Sequence, residues 1–126
     1  MKPMLTALLM ATAIGLVACV EEGRPDDEAC GAPAVEIELA LDADSLTPDD
    51  PAVCGGQAVT LVIDSAVDGI IHIHGYDEWV PATEVKTAEE LRLTFDAERT
   101  GQFPIELHPA DDPAGVSIGV FTVYEP

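Results

Sequence analysis

The sequence has few basic residues. It contains 5 Lys and Arg against 24 Asp and Glu, which gives a formal net charge of −19 at pH 7. A surface of this sign repels phosphate groups, which excludes nucleic-acid binding driven by backbone contacts. It also repels anionic lipid headgroups, so a covalent anchor would be needed to hold the chain at a membrane. The charge favours cationic partners, including metal ions, although a merely solubilising surface has the same composition.

Cysteine and methionine are also scarce, and their positions limit the chemistry. The 3 methionines lie within residues 1–10, and the 3 cysteines are Cys19, Cys30 and Cys54. Cys30 and Cys54 lie in polar, glycine-flanked segments, and in an exported protein such a pair most often forms a disulfide. Closing a loop of about 25 residues would stabilise the fold by about 3 kcal/mol. Two free thiols and a thiolate metal site remain alternatives, although neither cysteine belongs to a CxxC pair.

The N-terminus has the organisation of a secretory signal peptide. Lys2 is followed by an apolar stretch that ends in small residues at Ala18. Residues 1–18 are therefore predicted to be a cleaved signal. The apolar stretch is too short to cross a bilayer comfortably, because a spanning helix needs about 20 apolar residues.

Residues 16–19 (LVAC) resemble the lipobox of bacterial lipoproteins. The resemblance implies that Cys19 carries a diacylglyceryl group on its sulfur and an acyl chain such as palmitate on its amino group, and two or three chains anchor a protein stably. Val20 follows the cysteine and there is no Asp, which favours the outer membrane where an organism has two. The domain would then face the periplasm or the exterior, on a lipidated polar tether over residues 19–33. An ordinary signal peptide with a chance cysteine is the alternative.

From residue 34 onward, short apolar runs alternate with turn residues. Residues 34–41 (AVEIELAL) and 90–95 (ELRLTF) alternate in the manner of half-buried strands. Further strands are predicted over residues 59–63, 70–74, 103–108 and 118–124. Pro104 lies inside a predicted strand and indicates an edge or a bulge there. The pattern predicts one all-β domain over residues 34–126, a Greek-key β-sandwich of about six to eight strands.

The 3 histidines of the chain occur in two places, His72-Ile73-His74 and His108. Residues i and i+2 of a strand share a face, so His72 and His74 present two imidazoles side by side. A third ring from another strand would complete a three-nitrogen site of the kind that binds copper or zinc. Glu106 shares a face with His108 and could add an oxygen ligand, and Asp77 is a further candidate. Histidines satisfied by ordinary hydrogen bonds are the alternative.

The alternation in residues 103–108 raises a geometric question. Phe103, Ile105 and Leu107 predict an inward face, which directs Glu106 and His108 outward. His108 can then meet the histidine pair only if its strand ends at Pro109 or if the site lies on the outer face of the sheet.

Four segments together resemble a bacterial cupredoxin-like domain that covers residues 34–126. They are residues 55–63 (GGQAVTLVI), 68–77 (DGIIHIHGYD), 93–108 (LTFDAERTGQFPIELH) and 118–123 (IGVFTV). In that family an early histidine follows a D-x-x-H strand start, which His72 or His74 matches. Gly101, Phe103 and Gly119 match the framing positions of the later ligand strands.

The chain also departs from the blue-copper members of that family. Leu107 stands where those members have the thiolate, and Ser117 stands near the position of the axial methionine. The resemblance therefore implies a thiolate-free subgroup and no fast one-electron carrier. It implies a protein that binds copper, or less readily zinc, through His72, His74, His108 and Glu106 for storage, delivery or sensing. The sequence has no glycine-rich phosphate loop, no Ser/His/Asp ordering and no Cys/His nucleophile pair, so the protein is predicted not to be an enzyme. The alternative is a metal-free β-sandwich that serves as an interaction or assembly module of the cell envelope.

Overall fold

The computed structural model describes residues 23–126. The predicted signal peptide and the predicted lipid attachment residue Cys19 lie outside the described residues. One short helix and nine strands follow one another: α1 (Asp27–Gly31), β1 (Ala34–Leu41), β2 (Leu46–Thr47), β3 (Ala52–Cys54), β4 (Ala58–Ser65), β5 (Gly69–Ile73), β6 (Thr83–Val85), β7 (Glu90–Asp96), β8 (Gly101–Pro109) and β9 (Val116–Tyr124). Within this part of the chain, no helix is long and apolar enough to cross a membrane.

The strands form two sheets that face each other across one core. The four-stranded sheet has the order β2-β1-β4-β7, and the five-stranded sheet has the order β3-β9-β8-β5-β6. Most neighbouring strands are antiparallel, but β1 runs parallel to β4 and β3 runs parallel to β9. The predicted all-β sandwich is confirmed.

The core is built by side chains that alternate along the strands. In β8 the buried positions are Phe103, Ile105 and Leu107, and in β5 they are Ile71 and Ile73. Four aromatic rings fill the middle, with ring centroids 4.7 to 6.5 Å apart among Tyr76, Phe95, Phe103 and Phe121. Apolar burial of this kind is the main stabilising term of a sandwich.

Three of the nine strands were not predicted from the sequence. Strands β2, β3 and β6 have only two or three residues each, which is too short for an alternation to be recognised. The expectation that Pro104 marks an edge is wrong, because β8 lies between β5 and β9. The ladder between β8 and β9 does shift its register between Ile105 and Glu106, so the irregularity lies one residue further along.

Part of the predicted polar tether is folded against the domain. Asp26 caps helix α1 by accepting a hydrogen bond from the Ala29 N–H, and a disulfide joins Cys30 to Cys54. The buried side chain of Gln57 accepts from the Cys54 N–H and donates to the carbonyl oxygens of Ala29 and Ala32. Within the predicted tether, the segment from Asp26 to Ala32 is therefore held against the domain by hydrogen bonds and the disulfide.

The ladder between β5 and β8 brings the histidine segments together. These strands are antiparallel, with Ile70 opposite His108 and His72 opposite Glu106. Because Ile71, Ile73, Ile105 and Leu107 face the core, the residues between them face outward. The two histidine segments therefore share the outer face of the five-stranded sheet.

Candidate metal centre

Five polar side chains converge on the outer face of strands β5 and β8. His72, His74 and Asp77 come from β5 and the turn after it, and Glu106 and His108 come from β8. The His74 N–H donates to the Pro104 carbonyl at 2.9 Å, so the backbone just beyond β5 stays attached to β8. The sequence allowed His108 to meet the histidine pair either at the end of its strand or on the outer face of the sheet, and the structure has the second arrangement. The cluster lies on the outer face, away from the core.

The donor atoms of the cluster are close to one another. Nitrogens of His72 and His108 and a carboxylate oxygen of Glu106 all lie within 4.8 Å of each other. The ring centroids of His72 and His74 are 4.3 Å apart. Two atoms that each bind one ion at about 2.1 Å are at most about 4.2 Å apart. The three donors could therefore contact one ion after shifts well below an ångström.

His74 has a polar atom without a proper hydrogen bond. Its Nε2 is buried and lies 2.7 Å from Oε2 of Glu106. The angles of this contact fall outside those of a hydrogen bond, although the His74 side chain as a whole is 44% exposed. The nitrogen is therefore held beside the Glu106 carboxylate without a well-formed hydrogen bond, and a cation bound by both groups could take the place of this contact.

Two carboxylates carry the negative charge of the cluster. Oδ1 of Asp77 is in contact with Nε2 of His72, and Glu106 contacts His74 at 2.7 Å and His108 at 3.4 Å. The polar contact with His72 holds the pKa of Asp77 below its usual range. The contact with His74, followed by the nearby imidazole charges, lowers the pKa of Glu106. Both groups are therefore anionic at neutral pH and attract a cation.

Gly115 leaves room for the cluster. It belongs to the loop between β8 and β9. A Cβ at this position would lie 2.8 Å from Cε1 of His108 and 3.0 Å from Oε2 of Glu106. These separations are shorter than side-chain atoms adopt, so any larger residue would displace His108 or Glu106. Gly115 therefore closes one side of the cluster with backbone alone.

The donor set fits a transition-metal ion. The two imidazoles and the carboxylate that converge, His72, His108 and Glu106, are ligands that both Cu(II) and Zn(II) accept. The absence of a thiolate in the cluster argues against a blue-copper arrangement. The buried nitrogen of His74 and the space left by Gly115 are independent observations that agree with this fit. The cysteines contribute nothing here, because Cys30 and Cys54 are joined in the disulfide.

Most residues of the cluster were predicted from the sequence. His72, His74, His108, Glu106 and Asp77 were all candidates, and the structure brings them to one place. Asp77 takes a contact with His72 that spacing alone did not specify. The residue that the analysis missed is Gly115. Its only sequence signal is a glycine in a loop seven residues after a strand histidine, which does not reveal a close approach.

Comparison with known proteins supports the fold. No family profile and no curated protein sequence matches the chain. Among solved structures, the chain is similar to a blue copper oxidase from Nitrosomonas europaea, with a TM-score of 0.57 and 14% identity over 73% of this chain and 39% of the other. It is also similar to a laccase from Pediococcus acidilactici, with a TM-score of 0.59 and 13% identity over 75% of this chain and 27% of the other.

A third similarity concerns a protein domain of comparable size. The metal-binding domain of the Cu(I)-exporting P-type ATPase of Streptococcus pneumoniae, in a structure with Cu(I), has a TM-score of 0.55 and 15% identity over 74% of this chain and 88% of the other. The chain spans less than half of the two oxidases, and at these identities the likeness concerns the fold alone. The chain has a cupredoxin-like fold, and its neighbours are copper proteins.

Proposed function

We propose that this protein binds a transition metal, with copper favoured over zinc, for storage, delivery or sensing. The observation that carries the proposal is the convergence of His72, His108 and Glu106, whose donor atoms lie within 4.8 Å of one another. His74 would be a further ligand, because its buried Nε2 already lies beside Glu106. Copper bound here would be the cargo or the signal of the protein, and the described residues contain no thiolate ligand for fast electron transfer.

Copper is favoured on two grounds. Nitrogen and oxygen donors suit Cu(II), which binds such sites more tightly than the other divalent first-row metals. The solved structures that share the fold include a domain described with bound Cu(I) and a blue copper oxidase. Zinc accepts the same donors, so the metal must be decided by experiment.

The test uses the full chain in uncharged detergent. One equivalent of Cu(II) is expected to give a nitrogen-rich electron spin resonance spectrum and a higher melting temperature, because a ligand that binds only the folded state stabilises it. The variant His72→Ala/His108→Ala should lose both effects. Glu106→Gln should weaken binding, whereas Glu36→Gln, a carboxylate variant on the other sheet, should leave it unchanged. A Zn(II) titration that stabilises the chain more than Cu(II) would reassign the metal.

A metal-free role is the competing function, and one observation favours it. Each imidazole already contacts a carboxylate, His72 with Asp77 and the other two with Glu106. Such contacts alone could hold the histidines of an interaction or assembly module. On that account neither metal changes the melting temperature of the unaltered chain, and the double histidine variant is less stable only because it loses its contacts with the carboxylates.

We also propose that the chain is a lipoprotein of the cell envelope, attached through lipid on Cys19 and facing the periplasm or the exterior. This proposal rests on residues 1–19. Mass spectrometry of the mature N-terminus should find an acylated Cys19, and Cys19→Ser should appear in the soluble fraction. An unmodified N-terminus at another residue would contradict it.

A further inference from the structure

A groove made of two adjoining hollows lies on the surface beside the candidate metal centre. The first hollow, of about 730 Å³, is lined in part by His108. The second, of about 420 Å³, is lined in part by Ala43 and Asp111. Asp68, Pro109 and Ala110 line both. The two hollows therefore adjoin, and a histidine of the centre lines the first.

The part of the groove nearest to the centre is apolar. Ile70 lines it and is 46% exposed, which makes it one of two large apolar side chains that residues 23–126 expose, the other being Val120 at 37%. Ile70 lies opposite His108 in the ladder, so the two side chains are neighbours on the outer face. Ala82 and Pro113 complete the apolar wall. A concave surface lined by apolar side chains together with a few polar groups is typical of a binding site.

The charges along the groove are mainly negative. Asp68, Glu84 and Asp111 line it, and Lys86 is the one basic residue among its lining side chains. Lys86 is already 3.8 Å from the Glu84 carboxylate. Asp68 accepts hydrogen bonds from the N–H and the hydroxyl of Thr87, which lower its pKa and keep it ionised. A cationic occupant matches this surface, whereas a second copy of a chain with net charge −19 would be repelled.

We propose that this groove binds an extended basic peptide segment with apolar side chains, belonging to a partner protein that exchanges copper with the centre. Two adjoining hollows can accommodate an extended chain, Ile70 and its neighbours accept apolar side chains, and the acidic groups accept lysine or arginine. Because His108 lines the first hollow, the segment would place its protein beside the metal cluster. The exchange of copper rests on the proposed function, whereas the peptide binding does not.

The experiment uses the full chain in uncharged detergent and two fluorescent probe peptides, one of alternating lysine and valine and one of alternating glutamate and valine. The lysine peptide is expected to bind, to shift the amide resonances of Ile70, Ala82 and Ala110, and to lose affinity as salt is added. Ile70→Ser should weaken binding about tenfold. The matched control Val120→Ser removes the other exposed apolar side chain, which lies outside the groove, and should leave the affinity unchanged.

Several outcomes would overturn the proposal. They are equal binding of the two peptides, amide shifts elsewhere on the surface, and an equal effect of the two serine variants. Binding of a small organic cation such as spermidine with the same affinity would show a general cation site in place of a peptide groove. A parallel Cu(II) titration separates the two proposals. Binding of copper but of neither peptide would support the proposed function and overturn the peptide groove. Binding of the lysine peptide without copper would support the peptide groove and overturn the proposed function.

Discussion

His72 and Glu106 lie directly opposite each other in the antiparallel ladder between β5 and β8. Opposed residues in such a ladder have Cα atoms about 4.5 to 5.5 Å apart, so their side chains stand side by side on one face. The pairing fixes the metal cluster at a definite place in the sheet, since His74 and His108 are each two residues from a member of the pair. The positions of His72, Glu106 and His108 thus follow from strand register, and His74 lies in the turn directly after β5.

The close approach of Gly115 leads to the first prediction. Gly115→Ala places a methyl group 2.8 Å from Cε1 of His108, so His108 or Glu106 must move. We expect Cu(II) affinity to fall about tenfold, equivalent to about 1.4 kcal/mol, while the melting temperature of the metal-free protein changes little. Gly31→Ala is the control, because a Cβ there meets nothing within 4 Å. Equal copper affinity in the two variants would contradict the role of Gly115.

The acidity of the two carboxylates leads to a prediction about pH. Contacts with histidines lower the pKa of Asp77 and of Glu106, so both stay ionised as the pH falls towards their ordinary range near 4. Imidazole in general titrates near pH 6.5 and binds a metal only when neutral. We therefore expect Cu(II) affinity, followed by competition with a chelator, to be full above about pH 7 and to collapse below about pH 6.

The variant Glu106→Gln is the control for that prediction. It should bind copper more weakly at every pH but lose binding over the same interval. A loss shifted to the range near pH 4 would show that the carboxylates, and not the imidazoles, control the binding.

The three hydrogen bonds of Gln57 give a prediction about stability. Gln57 is 3% exposed and bonds to Cys54, Ala29 and Ala32. Gln57→Ala leaves one N–H and two carbonyl oxygens without these partners, and we expect it to cost about 2 to 3 kcal/mol in urea unfolding. Thr60→Ala, which removes a more exposed polar side chain from β4, should cost less than about 1 kcal/mol. Similar losses of unfolding free energy in the two variants would contradict the stabilising role of the Gln57 hydrogen bonds.

The disulfide gives a further prediction, which also tests whether its sulfur atoms take part in metal binding. Replacement of Cys30 and Cys54 together by alanine should lower the free energy of unfolding by about 3 kcal/mol, because the unfolded chain is no longer cross-linked. Copper stoichiometry should stay at one equivalent, since neither sulfur belongs to the cluster. A loss of copper binding in the folded double variant would instead point to a thiolate site.

The histidine cluster shows how far the sequence could predict the site. The spacing of His72 and His74 indicated a shared face, and the alternation of Phe103, Ile105 and Leu107 indicated that His108 faces outward. The sequence could not decide whether these outer faces adjoin, because strand order depends on packing between distant segments. The structure answers this by placing β5 beside β8.

The short elements show where periodicity fails. Strand β3 is held by β9 at the other end of the chain, and no local pattern reveals such pairing. Strands β2 and β6 pair with the strands that precede them, β1 and β5, but with two or three residues each they are too short to show an alternation. The segment around Cys30 is similar: its helix has five residues, and its attachment through Gln57 uses one buried amide more than 20 residues away. Strands β1 and β7 were predicted because each is long enough to repeat the apolar–polar alternation several times.

Strand β8 separates the N-terminal segment from the metal cluster. Its first residue, Gly101, lies opposite Val123 near the end of β9, where Arg24 reaches the Glu125 carbonyl and the ring of Tyr124. His108 lies at the other end of β8, about 23 Å further along at 3.3 Å per residue. In the described residues, the imidazoles therefore lie at the end of β8 that is remote from Arg24, so a molecule that binds them approaches the domain from the side opposite to its N-terminal segment.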